Sequence, residues 1–325
     1  MTLGRIVYWC AVALLLLPAL ALTGVRLLEP DHARAIQLGA FTPFGLPLYA
    51  AALVLLLVGV LRGLGRRAVV AGGAVLALAG LVLHAAWYAP LVSGATPDAA
   101  ADATPVVLMT ANLFKGAGDA VELLEEATAA DVDVLVVSEL TTGAVADMET
   151  AGLADAFPYR AGEAGRGTEG TMVFSHAPVE VVETLDTTFD GLLVRTAGLS
   201  LLAVHPYPPV DPVAWRDDHA QIRELAASGD ATVIAGDLNA TLDQAPLRAL
   251  VDDGFRDSAE LANAGVEATW PVGGAFPVLS ALPPSVGIDH VMVTDEWTVT
   301  DTRTVTISGA DHRAVLVSIA ARADR

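Results

Sequence analysis

The sequence predicts an α/β protein in two parts, with N-terminal transmembrane helices followed by a mixed α/β domain. Three observations predict this architecture. The first 92 residues contain three long apolar stretches without Asp, Glu, Lys or Arg, and the chain after residue 105 alternates short apolar runs with amphipathic ones. The two parts also differ strongly in charge. With 325 residues, the chain is long enough for a membrane region and a domain with a full core.

The apolar stretches cover about residues 6–25, 41–61 and 68–92. Each is long enough, as a helix, to cross roughly 30 Å of hydrocarbon. The first stretch follows Arg5 but is longer than the apolar core of a typical signal peptide, and two further stretches follow it. We therefore interpret all three as retained helices and residues 1–92 as the membrane region.

The short loops predict the orientation of these helices. They place four arginines on one side of the bilayer and two on the other: Arg5, Arg62, Arg66 and Arg67 against Arg26 and Arg34. Because positive loops stay in the cytoplasm, we expect a multi-pass protein of the cell membrane with an extracytoplasmic C-terminal domain. His84 lies within the third span, where an ionisable residue is a functional candidate, and we interpret it as a hydrogen-bonded residue of helix packing.

Residues 93–104 are small, polar and bounded by proline, which predicts a flexible linker to a domain at 105–325. From residue 92 onward the chain has 12 basic and 36 acidic residues, a formal charge of −24. This charge disfavours extended contacts with nucleic acid, although a bound metal can reverse the sign of charge at a site. The only cysteine is Cys10, so no intramolecular disulfide is possible.

Apolar runs in the C-terminal part predict strands at 106–113, 132–140, 199–207, 231–239, 288–293 and 312–320. Amphipathic runs predict helices at 119–130 and about 215–228. Polar side chains stand at or beside the ends of these strands: Asn112, Glu139, His205, Asp237, Asn239, Asp289, His290, Asp311 and His312. Each residue alone is explained by a turn, a cap or a satisfied structural histidine, but a sheet brings such ends together, so we expect one shared site.

Within the stretch "GDLN", residues two apart in an extended chain project to the same side, so Asp237 and Asn239 are expected to converge on one object. The oxygen atoms of the whole set suit Mg²⁺ or Mn²⁺, and the domain has no cysteine for a soft metal. A cation, a base and a proton donor are what hydrolysis of a phosphate ester requires.

The motifs "MTANL", "SEL", "HPYPP", "GDLNAT", "TWP", "IDHVMV" and "ADHRAV" occur in this order between about residues 105 and 321. In order and character they resemble the motifs of the endonuclease/exonuclease/phosphatase superfamily, the DNase-I-like metal-dependent phosphoesterases. The resemblance implies a four-layer α/β sandwich, in which two packed mixed β-sheets are flanked by helices.

The resemblance also implies roles for individual residues. Glu139 is expected to be the direct ligand of Mg²⁺, with Mn²⁺ as a possible substitute, and Asn112 and Asp311 are expected to complete the metal site. Asp289 is expected to orient His312 as general base, although some branches assign that role to the aspartate of the "GDLN" motif, here Asp237.

For the remaining site residues, the resemblance implies that His205 binds the phosphate and helps to protonate the leaving group. Asp237 and Asn239 are expected to position the attacking water and a phosphoryl oxygen. His290 is expected to face the core or to bond to the backbone, and Trp270 to pack beneath the site.

These observations favour a membrane-anchored, Mg²⁺-dependent hydrolase of a phosphate ester, most simply a phosphodiester, outside the cytoplasm. The expected partners are the lipid bilayer, through the N-terminal helices, and a substrate that is a lipid headgroup, a nucleic acid or a small phosphoester. No protein partner can be inferred. One alternative is an extracellular nuclease acting on short or single-stranded nucleic acid. An alternative of another class is a non-catalytic membrane receptor or scaffold on a phosphoesterase fold.

Overall fold

A computed structural model describes residues 3–273 and 283–323. Contacts between residues divide the chain into two compact units. The first unit comprises Met1–Pro90 together with Asp243–Ala245, and the second comprises Leu91–Leu242 and Pro246–Arg325.

The first unit is helical, with α1 (Leu3–Leu28), α2 (Ala33–Gly39), α3 (Gly45–Arg62) and α4 (Arg67–Tyr88), and a short 3₁₀ turn precedes α3 at Thr42–Phe44. The segments Leu3–Leu28, Thr42–Arg62 and Arg67–Tyr88 are long and apolar enough to cross a membrane. A short helix, α5 (Pro90–Ser93), follows.

Glycine allows α3 and α4 to approach closely. A Cβ at Gly80 of α4 would overlap the ring of Tyr49 of α3, and a Cβ at Gly45 would overlap the ring of His84. His84 is buried, and its Nε2 lies 3.0 Å from the hydroxyl of Thr23 of α1. Small residues thus bring the helices together, and a side-chain hydrogen bond joins α1 to α4.

The second unit contains twelve strands and six helices among its described residues. The strands are β1 (Val106–Asn112), β2 (Val134–Ser138), β3 (Tyr159–Gly162), β4 (Met172–Ser175), β5 (Glu180–Leu185), β6 (Gly191–Thr196), β7 (Leu199–Val204), β8 (Val233–Asp237), β9 (Arg256–Asp257), β10 (Asp289–Val293), β11 (Trp297–Thr306) and β12 (Arg313–Ala321). The helices are α6 (Ala120–Ala129), α7 (Thr142–Thr150), α8 (Leu153–Ala156), α9 (Pro212–Ala227), α10 (Ala245–Asp252) and α11 (Ser258–Leu261).

The strands form two six-stranded sheets, in the orders β11-β12-β1-β2-β4-β3 and β5-β6-β7-β8-β10-β9. Both sheets are mixed. In the first, β1 and β2 run parallel, and in the second β7 and β8 do, whereas the other paired strands are antiparallel. The predicted fold of two packed mixed sheets flanked by helices is confirmed.

Side chains that alternate between the two faces of the central strands build the two hydrophobic cores of this unit. On β1, Leu108 faces the second sheet and belongs to a core with Leu201 and Val233. The next residue, Met109, belongs to a separate core with Leu123 of α6. Because successive strand residues point to opposite faces, one strand supplies both cores, and consecutive apolar residues begin the predicted run at 106–113 for this reason.

Candidate active site

The functional side chains lie at one edge of the two sheets. Parallel strands present their carboxyl ends together, and the register pairs Asn112 at the end of β1 with Ser138 at the end of β2. In the second sheet, β7 and β8 end side by side, which places His205 near Asp237. The antiparallel strands β10 and β12 begin at this edge. Their starts supply further polar residues, Asp289, Asp311 and His312.

Asn112 links two carboxylates. Its Nδ2 donates to Asp237 Oδ2 at 2.9 Å and to Glu139 Oε1 at 3.3 Å. The second oxygen of Glu139 accepts from the backbone N–H of Lys115 at 2.7 Å. Phe114 and Lys115 both adopt left-handed backbone conformations, with φ of +47° and +58°. Such conformations are uncommon for residues with side chains, and here they aim a backbone donor at Glu139.

The "GDLN" motif forms a turn rather than a continuous strand. β8 ends at Asp237, whose Oδ1 accepts from the backbone N–H of Asn239 at 2.9 Å, and Asn239 has a φ of +47°. The expected alternation therefore does not operate here. Asn239 instead donates through Nδ2 to the carbonyl of Pro206 at 3.0 Å, which holds the segment after His205. Gly236 is required because a Cβ there would overlap the carbonyl oxygen of Val204 on β7.

His312 is bonded to Asp289. Its Nδ1 lies 2.8 Å from Asp289 Oδ2, and its Nε2 lies 3.8 Å from both Asp237 Oδ2 and Asp311 Oδ1. Burial opposes the charged form of the ring, but the charges of Asp289 and Asp237 outweigh it and raise the pKa of His312 to about 10. In the absence of a cation, His312 is therefore an imidazolium at neutral pH.

His205 has the opposite electrostatic character. Its ring is buried, its Nε2 lies 3.6 Å from Asp237 Oδ2, and the ring of Phe189 lies 4.8 Å away. Burial lowers the pKa of His205 to about 4, against the opposing charge of Asp237. The site thus holds one neutral and one charged histidine at neutral pH.

Asp218 of α9 also shapes the site, and sequence reasoning gave it no role. Its buried carboxylate accepts from the backbone N–H of Tyr207 at 2.8 Å and from that of Thr188 at 3.1 Å. It therefore holds the loop that follows His205. Its sequence context, a charged stretch of a helix, is typical of a solvated face and carried no signal of this contact.

The carboxylates fit a hard divalent cation. The pKa values of Glu139, Asp237 and Asp311 are all raised, mainly because these carboxyl groups are buried. Asp311 accepts a long hydrogen bond from Trp270 Nε1, at 3.4 Å, through one oxygen. Its other oxygen, Oδ1, is buried without a hydrogen-bond partner among the described residues. A cation would satisfy this oxygen and reduce the repulsion between buried negative charges.

Ligand atoms of Asp237, Asp289 and His312 also lie within 4.8 Å of one another, close enough to share a cation. His312 Nδ1 already bonds to Asp289, however, and this bond fixes the orientation of the ring. Nδ1 of His312 is therefore engaged with a carboxylate rather than turned toward a cation.

All eight predicted site residues lie at this edge of the sheets. Asn112, Glu139 and Asp237 are joined directly, as are Asp289 and His312. His205 Nε2 lies 3.6 Å from Asp237 Oδ2 and 4.0 Å from Glu139 Oε1. Asp311 Oδ1 lies 3.8 Å from His312 Nε2. The side chain of Asn239 is instead bonded to a loop carbonyl.

Solved structures with this fold were found in several organisms. A functionally unknown conserved protein from Enterococcus faecalis is 15% identical with a TM-score of 0.51, over 67% of this chain and 100% of that one. TDP2 of D. rerio, complexed with a single-strand DNA product, is 14% identical with a TM-score of 0.51, over 66% and 99%. The 3′ phosphatase NExo from Neisseria, bound to a product DNA hairpin, is 14% identical with a TM-score of 0.51, over 65% and 98%.

At these identities the structural similarity shows the fold alone. No curated protein matches the sequence. A family model, however, matches residues 109–312, which include every predicted site residue and more than half of the chain. The chain therefore belongs to the Endonuclease/Exonuclease/phosphatase family.

Proposed function

We propose that this protein is a membrane-anchored, Mg²⁺-dependent phosphoesterase that hydrolyses a phosphodiester outside the cytoplasm by attack of water. Members of its family are phosphoesterases, with nucleases and phosphatases among them. The observation that carries the proposal is the convergence of four buried carboxylates and two buried histidines at one sheet edge: Glu139, Asp237, Asp289, Asp311, His205 and His312. So many buried acidic groups destabilise a fold unless a cation or other partner compensates their charge, and such clusters are typical of functional sites.

We assign metal binding to Glu139, Asn112 and Asp311. The carboxylate oxygens of Glu139 and Asp311 are the ligand type that Mg²⁺ prefers, and Mn²⁺ is expected to substitute. Asn112 Oδ1 accepts from the backbone N–H of Phe114, so Asn112 would hold the ion through a water molecule. A bound ion supplies charge neutralisation at the phosphoryl oxygens. The chain holds Glu139 ready for this role through the N–H groups of Asn112 and Lys115.

We assign the removal of the water proton to Asp237. In the metal-free site, the charges of Asp289 and Asp237 favour the charged form of His312, and a protonated ring cannot accept a proton. The imidazolium of His312, oriented by Asp289, then stabilises negative charge on the phosphate and donates the proton that the leaving oxygen takes up as its bond to phosphorus breaks. Neutral His205 can donate a hydrogen bond to the same phosphate, and its Nε2 faces Asp237. General-base loss typically costs about 100- to 10,000-fold in rate, so Asp237→Asn is expected to lower kcat by that amount.

The membrane region and the charge of the domain favour a lipid headgroup as the substrate. Tethering by apolar helices raises the effective concentration of the site at a bilayer. The formal charge of −24 disfavours contacts along a nucleic-acid duplex. A nuclease of short or single-stranded substrates is the second candidate, because the similar structures of TDP2 and NExo hold DNA products.

Hydrolysis by the full chain in detergent tests the chemistry. A generic phosphodiester and a generic phosphomonoester are each assayed with Mg²⁺, with Mn²⁺ and with chelator. His312→Ala removes a site residue, and His176→Ala, at an exposed position, is the matched control. We expect metal-dependent turnover of the diester by wild type and His176→Ala only. A folded wild-type protein that binds Mg²⁺ and hydrolyses neither ester would instead favour the receptor or scaffold.

The proposed orientation has its own test. A protease-sensitive tag is fused after Arg325 and treated with protease outside intact cells. Cleavage is expected, because the arginine distribution favours an extracytoplasmic C-terminal domain. A tag that is cleaved only after lysis would contradict this orientation.

A further inference from the structure

His290 lies directly behind the site, on the opposite face of β10 from Asp289. Successive residues of a strand point to opposite faces, and Val291 faces the core between the sheets as Asp289 does. His290 therefore points away from the reacting groups, and its hydrogen bonds reach them through the backbone.

Both ring nitrogens of His290 have acceptors as partners. Nε2 lies 3.1 Å from the carbonyl oxygen of Ala240 and 3.1 Å from that of Gly287. Carbonyl oxygens accept only, so Nε2 carries a proton. Nδ1 lies 2.7 Å from Asp257 Oδ2, and the other oxygen of Asp257 accepts from the N–H of Ala259. The ring is thus held as an imidazolium paired with a buried carboxylate.

The surroundings are consistent with a charged ring. Burial opposes the charge, but the charge and hydrogen bond of Asp257 and the charge of Asp289 together raise the pKa of His290. The carboxylate of Glu267 also lies close enough for His290 to lower its pKa, although burial raises it overall.

The two carbonyls joined by Nε2 belong to the segments that carry the site. Ala240 follows Asn239 at the exit of β8, and Gly287 stands two residues before Asp289 at the entry to β10. Between them, the N–H of Leu238 donates to the carbonyl of Ile288 at 2.8 Å, and the ladder pairs Asp237 with Asp289.

We propose that His290 is a positioning residue for the hydrolysis: its Nε2–H fastens the exit of β8 to the entry of β10 and thereby fixes Asp237 relative to Asp289 and His312. Nothing else in the catalytic assignments depends on His290. The inference rests on the proposed function, because its readout is the rate of hydrolysis.

Two variants separate positioning from stability. His290→Leu removes the Nε2 donor and leaves Asp257 without its partner. Asp257→Asn also removes the ion pair, but the amide of asparagine can donate to Nδ1 of a neutral ring, so the Nε2–H bonds remain. Both variants are expected to be less stable than wild type, and they differ in whether the link between β8 and β10 survives.

The experiment measures kcat and KM for a generic phosphodiester with Mg²⁺, using the full chain in detergent, and thermal unfolding of the same samples. Loss of groups that orient catalytic residues typically costs about 10- to 100-fold in activity. We expect that decrease in kcat for His290→Leu, with KM within about 2-fold of wild type, whereas Asp257→Asn keeps kcat within about 3-fold. His290→Gln, which keeps a shorter donor, is expected to fall between His290→Leu and wild type.

Equal kcat values for His290→Leu and Asp257→Asn would overturn the inference and leave His290 a structural residue. If His290→Leu does not fold, His290→Gln is compared with Asp257→Asn by the same criterion. An inactive wild-type protein would count against the proposed function itself, so wild type is assayed in parallel.

Discussion

Replacing Glu139 by glutamine is expected to stabilise the metal-free protein and to abolish its Mg²⁺-dependent activity. Glu139 Oε1 and Asp237 Oδ2 both accept from Asn112 Nδ2, at 3.3 and 2.9 Å, so these two oxygens can be no more than about 6 Å apart. Two unit charges at that distance repel by about 3 kcal/mol at an effective dielectric constant of about 20, and by less than about 1 kcal/mol in water.

Glutamine has nearly the shape of glutamate and keeps an acceptor for the N–H of Lys115, but its amide nitrogen then faces Asn112 Nδ2 and one long hydrogen bond is lost. That loss costs about 1 kcal/mol, which is less than the repulsion that removal of the charge relieves. In chelator, the free energy of unfolding of Glu139→Gln is expected to rise by about 1 to 3 kcal/mol. For a domain of this size, that corresponds to about 2 to 4 °C in Tm per kcal/mol. In Mg²⁺ the order is expected to reverse, because only wild type gains stability from a tightly bound ion.

The assay is thermal unfolding of the full chain in detergent, with chelator and at increasing Mg²⁺, together with hydrolysis of a phosphodiester. Glu180→Gln, which removes an exposed carboxylate of β5, is the matched control and is expected to change neither property. A Tm for Glu139→Gln at or below that of wild type in chelator would refute the electrostatic reasoning. Undiminished activity would refute the metal assignment.

Three further predictions follow from the geometry. Gly236→Ala is expected to lower the free energy of unfolding by about 1 to 3 kcal/mol in chemical denaturation, because its Cβ would overlap the Val204 carbonyl oxygen. A variant as stable as wild type would contradict the close approach of β7 and β8. In chelator, the charge of His312 is expected to stabilise the fold fully below pH 6.5, and this stabilisation is expected to be lost as the pH rises through about 10. His312→Gln should therefore flatten the dependence of the free energy of unfolding on pH over that range. An unchanged slope would contradict the raised pKa of His312. Asp218→Asn is expected to lower kcat/KM, because Asp218 holds the backbone of Tyr207 after His205, and unchanged kinetics would show that this contact is dispensable.

The sequence predicts the layers and the location of the site well for a physical reason. The central strands are buried on both faces, so most of their residues are apolar and the polar residue that ends each strand stands out. Asn112 at the end of β1 and Asp237 at the end of β8 are examples. Because parallel neighbours end together, the convergence of these residues follows from topology.

The outer elements are harder to predict. β5 exposes most of its side chains, including Val181 and Val182, so it lacks a buried apolar face as a signal. β9 comprises only Arg256–Asp257, and its pairing with β10 depends on tertiary contact. Local sequence patterns carry little information about such strands.

The details of the site depend on backbone conformations that a strand pattern does not contain. Asn239 reaches its position through a left-handed turn rather than by strand alternation, and Lys115 contributes a backbone N–H. Asp218 and His290 act through hydrogen bonds to residues remote in sequence. The residues that converge at the candidate site are therefore predictable from motifs, whereas the groups that hold them require the fold.

The most direct test of the central claim is the initial rate of phosphodiester hydrolysis measured against free Mg²⁺ for wild type and Glu139→Gln. We expect no turnover by wild type in chelator and a saturable rise in rate with Mg²⁺. For Glu139→Gln we expect little or no turnover at the Mg²⁺ concentrations that saturate wild type. Turnover by wild type that is unaffected by chelator, or a Glu139→Gln curve that coincides with that of wild type, would contradict a metal-dependent reaction at this site.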